Sequence, residues 1–201
     1  MKTILIALAL LSLSSCKLVM LKTVKKAKIF PNYASEKQIN KFYDKYASTQ
    51  TEYITLSDSN LVKKIQEPGW SFDKWELYDQ EGFRVNQTNA DSITCRANSY
   101  TFLKDFSEME KVQDTSQHLA QDTIIYNHIK QDYKNFDYTL IIYFSSWRGK
   151  FSGEILDFEK QFVLNNPELR IQVLKVNMDF REEMKGTWVN KWTITAEEFK
   201  K

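Results

Sequence analysis

The sequence predicts an α/β fold, a sheet with helices packed on it, and three stretches carry that prediction. Tyr138 to Phe144 (YTLIIYF) is apolar almost throughout, the pattern of a strand covered on both faces of a sheet. Phe151, Ile155, Phe158 and Phe162 then recur at i, i+4, i+7 and i+11, a single helical stripe. Leu169 to Val176 (LRIQVLKV) is a second β-rich run. Strand, helix and strand make a βαβ unit in the C-terminal third, and an earlier hairpin adds antiparallel strands to the sandwich.

The hairpin is KWELYDQEGFRVNQ. Trp75, Leu77 and the Phe83 to Val85 run flank Asp79-Gln80-Glu81-Gly82, whose residues suit a tight turn. A calcium loop starting at Asp79 is excluded, because its glycine falls at the fourth place and Ala90 stands where a glutamate is needed. Upstream, Ser35 is a candidate N-cap for a helix carrying Ile39, Phe42, Tyr43 and Tyr46 on one face. Thr51 to Leu56 reads as a short strand, and Asn60 to Ile65 as a short helix stopped by Pro68-Gly69.

Ser92 to Ala97 (SITCRA) is expected to be a strand carrying Cys95. Residues 104–122 are polar and without clear period, which predicts a long surface loop or a frayed helix. Thr123 to Tyr133 is expected to be helical through Ile125, His128 and Ile129. Asn165-Asn166-Pro167 should end the long helix, and Trp188 to Ile194 (WVNKWTI) is left as a last strand.

Apolar residues make up 42% of the 201, enough for a real core and too many for a chain disordered throughout. Five glycines and three prolines are too few for a turn-dense barrel. With 28 basic and 26 acidic residues the net charge is +2, so nothing draws the whole chain to nucleic acid, and none is expected as a partner.

The first residues, MKTILIALALLSLSSC, combine Lys2, an apolar run from Ile4 to Leu11, and small residues before Cys16. That run is too short for a permanent span and reads as a targeting segment. Leu13-Ser14-Ser15-Cys16 resembles the lipobox of bacterial lipoproteins. The resemblance implies a signal peptide at 1–15, cleavage before Cys16, and acyl chains such as palmitate on that residue. Residues 16–34 are then a lipidated N-terminus and basic tether, with Lys17, Lys22, Lys25, Lys26 and Lys28 unopposed by any carboxylate. Such a tether is attracted to anionic headgroups beside its anchor. Residues 35–201 form the expected single α/β domain. Lys17 is not the aspartate that marks inner-membrane retention in enteric bacteria, so the family rule favours the outer membrane, facing the periplasm.

Within the domain, about 135–195 resembles the thioredoxin-like superfamily. The family's central strand ends in a tryptophan, here Trp147, and Gly149 stands at the middle glycine of its Cys-Gly-Pro-Cys motif. The strand after the helix ends Val176-Asn177-Met178-Asp179, near the aspartate the family carries. The cysteine positions hold Arg148 and Phe151, no proline follows Pro167, and the usual terminal hairpin and helix are missing or reordered. The resemblance therefore implies an incomplete or variant thioredoxin-like sandwich without its dithiol. The whole chain is also similar to small lipoproteins of Bacteroidota.

Dithiol exchange needs a low-pKa thiolate and a resolving partner, and a mature chain beginning at Cys16 keeps Cys95 as its one thiol. An alternative stays open, a monothiol redox or chaperone-like protein using Cys95. His118 and His128 lie near no nucleophile-elbow sequence, and with Cys95 they show no metal-ligand spacing. The adjacent pairs Glu182-Glu183 and Glu197-Glu198 do not face a common substrate. No metal or cofactor is expected. The candidate binding residues are Trp147, Arg148 and Lys150, at a strand-to-helix corner suited to a carboxylate, a phosphate or a protein surface. The expected function is a membrane-anchored binding or scaffold module without an enzymatic centre.

Overall fold

A computed structural model describes residues 33–47, 52–67, 72, 74–87, 106, 111–129 and 132–184. In chain order it contains β1 (Tyr33–Ala34), α1 (Glu36–Tyr46), β2 (Tyr53–Thr55), α2 (Asp58–Ile65), β3 (Lys74–Asp79) and β4 (Phe83–Gln87). There follow β5 (Lys111–His118), α3 (Thr123–Ile129), β6 (Tyr138–Phe144), α4 (Lys150–Asn165), β7 (Ile171–Asn177) and β8 (Phe180–Arg181). The expected strands at 92–97 and 188–194, and the leader and tether, lie outside the described residues.

Six strands form one mixed sheet in the order β2-β7-β6-β3-β4-β5. β2, β7 and β6 run parallel, with Tyr138 opposite Ile171 and Phe144 opposite Asn177. β3 lies antiparallel to β6 from Lys74↔Tyr143 to Asp79↔Tyr138, and β4 and β5 continue antiparallel. β1 pairs separately and parallel with β8. The βαβ unit and the hairpin are thus present as expected.

The central strand sorts its side chains onto two faces, as the period of two requires. Leu140, Ile142 and Phe144 pack with Ile39 and Tyr43 of α1 and with Ile155, Phe158 and Phe162 of α4. Ile141 and Tyr143 pack with Leu61 and Ile65 of α2 and with Ile125 and Ile129 of α3. Helices therefore cover both faces, and β6 is buried from Thr139 onward. Each fully buried large aliphatic or aromatic side chain there contributes roughly 1.5–3 kcal/mol.

Two expectations need correction. Residues 111–121 are neither loop nor frayed helix: Lys111–His118 is the edge strand β5, and Leu119–Gln121 is a single 3-10 turn. The strand stands mostly in solvent on both faces, so its ladder with β4 rests on backbone hydrogen bonds and needs no apolar alternation. The helical stripe also starts one member late. Phe151 is 38% exposed while Ile155, Phe158 and Phe162 are buried.

Candidate functional site

The corner after β6 is built by main-chain bonds and one buried carboxylate. Ser146–Arg148 forms a 3-10 turn, with the Arg148 N–H donating to the Ser145 carbonyl at 3.1 Å and the Gly149 N–H to the Ser146 carbonyl at 3.1 Å. Gly149 carries φ of +57°, a left-handed conformation that glycine adopts without a Cβ penalty, and it re-aims the chain into α4. The Ser152 hydroxyl of the first helical turn accepts the Ser145 N–H at 2.9 Å.

Asp179, buried just beyond β7, ties the turn to the neighbouring strand. Its two oxygens accept from the Ser146 N–H and from the Ser146 hydroxyl, each at 2.9 Å. The Met178 N–H donates to the Phe144 carbonyl at 2.8 Å, and the Asp179 N–H to the Asn177 side-chain oxygen at 2.9 Å. The ends of two parallel strands, where α/β sheets commonly present ligands, are thereby locked together.

The three candidate binding residues occupy different environments. Trp147 is buried and meets the Phe72 ring edge-on at 5.2 Å, so it packs inside and does not form an outer wall. Arg148 is half-buried, its guanidinium 5.4 Å from the Trp147 ring and 5.4 Å from the Phe151 ring. Lys150 is exposed and sits 3.5 Å from Glu154, an i,i+4 pair. Phe151, exposed on the first turn of α4, supplies the outer aromatic surface of this corner.

Cys16 and Cys95 lie outside the described residues. His118 holds a turn: its Nδ1 accepts from the Ala120 N–H at 3.0 Å, and its Nε2 lies 3.0 Å from the Glu81 carbonyl. His128 is exposed on α3. Asp79 serves its own hairpin, accepting from the Glu81 and Phe83 N–H groups at 3.0 and 2.9 Å. Glu182 and Glu183 are exposed in a one-turn 3-10 segment against β1. Among the described residues no group of three or more His, Cys, Asp or Glu side chains is placed to hold a metal ion.

Two sets of buried charges were not foreseen. On the α2/α3 side, the Glu76 carboxylate receives the Lys74 ammonium at 2.8 Å, the Tyr143 hydroxyl at 3.0 Å and the Tyr78 hydroxyl at 3.4 Å. Nearby, the buried Lys64 pairs with Asp122 and, at 2.8 Å, with Glu67. Burial works upward on Glu76, yet adjacent Lys74 holds it below its ordinary range. Burial and then the Glu76 charge push both tyrosine hydroxyls up. Burial works to lower Lys64, and Asp122 outweighs it, leaving the ammonium above its usual value. On the other face Lys175 meets Glu159 at 2.6 Å. The one sequence signal for these is Glu159 itself, which falls on the apolar stripe between Ile155 and Phe162.

Compared with protein-family models, curated proteins and solved structures, the chain matches none of them. No described helix is long and apolar enough to cross a membrane.

Proposed function

We propose that this chain is a lipid-anchored lipoprotein of the bacterial cell envelope, held at the outer membrane facing the periplasm. Its domain acts as a non-enzymatic binding or scaffold module, a redox-inactive variant of the thioredoxin-like fold. The leader grammar ending at Cys16 supports the anchor. The strand arrangement supports the fold: the antiparallel hairpin that the family places after the βαβ unit lies here beside β6 but precedes it in the chain.

The observation that carries the binding role is the Arg148 guanidinium at the strand-to-helix corner, 5.4 Å from both the Trp147 and the Phe151 ring. Where the family keeps two thiols, this corner offers a cation on aromatic rings, a combination frequent among interface residues that dominate binding. An envelope protein or an anionic ligand is the fitting occupant.

Two measurements test the proposal. Cys16→Ser should release the protein from membranes or leave its leader uncut, and unchanged fractionation and processing removes the anchor. The purified protein should show no thiol-disulfide reductase activity. Robust activity that disappears in Cys95→Ser would replace the binding module with a monothiol redox protein.

A further inference from the structure

We draw no further inference here: the strongest candidate, the first turn of α4 with the buried Ser145 hydroxyl and Trp147 indole N–H of the turn before it, belongs to the site already described, and nothing among the described residues shows that either group faces a ligand there.

Discussion

Glu159 of α4 and Lys175 of β7 form an ion pair at 2.6 Å with side chains no more than 2% exposed. The Lys175 ammonium also lies 5.4 Å from the Tyr43 ring of α1, so this one charge touches three elements on one face of the sheet. Two charges taken so far from water require each other, because either left alone has no solvent to replace its partner.

That relationship gives the first prediction. Glu159→Gln or Lys175→Met alone should lower stability by about 3–5 kcal/mol, read as the shift in urea midpoint. The double replacement Glu159→Leu with Lys175→Met should recover most of the loss, since an apolar pair of similar volume carries no desolvation cost. If the double variant is as unstable as the sum of the singles, the pair is not coupled as described.

The tyrosines on the opposite face set the pH limits. The folded state raises Tyr78 and Tyr143 above their ordinary 10.0, so it favours the neutral hydroxyls. Their contribution is complete below pH 10.0 and is lost as pH rises beyond it. Glu76 is held below its ordinary 4.5, so its contribution is complete above that pH and is lost as pH falls. Absorbance at about 295 nm, where phenolate absorbs, should show two hydroxyls that ionise only with alkaline unfolding. Replacing both with Phe should remove that delayed step; its persistence would place the late-titrating groups elsewhere.

Gly153 yields a prediction of reversed sign. Alanine in place of a helical glycine ordinarily stabilises by about 0.8–1 kcal/mol. Here a Cβ would lie 2.5 Å from Tyr46 Cδ1 and 2.8 Å from Cγ, so Gly153→Ala should destabilise by displacing α1. In a Tyr46→Ala background the same substitution should stabilise. Thermal melts of the four proteins decide it, and equal effects in both backgrounds would disprove the close approach.

Legibility followed the range over which each signal acts. YTLIIYF and the Ile155, Phe158 and Phe162 stripe announce their own burial, because a strand between two helix layers must be apolar throughout and a covered helix needs one such face. The hairpin was readable from its turn, where the Gly82 N–H donates to the Asp79 carbonyl at 3.0 Å. β5 was not, since KVQDTSQH pairs through its backbone and leaves no trace in side-chain pattern. Within the candidate site, Arg148 and Lys150 were found from their place before the helix. Phe151 was counted into the core, because periodicity alone cannot tell whether the first turn has a neighbour to cover it.

By itself the sequence determined the βαβ unit, the hairpin and the absence of cysteine from the corner. Each of these is a matter of residue identity or of a period repeated within one element. Only the tertiary structure decided that β2 pairs alongside β7, that Trp147 packs inward while Phe151 remains outside, and that Asp179 closes on Ser146. It also decided which charges could be buried. Glu159 and Lys175 stand on different elements, and a buried charge becomes tolerable only when the fold delivers its counter-ion across space.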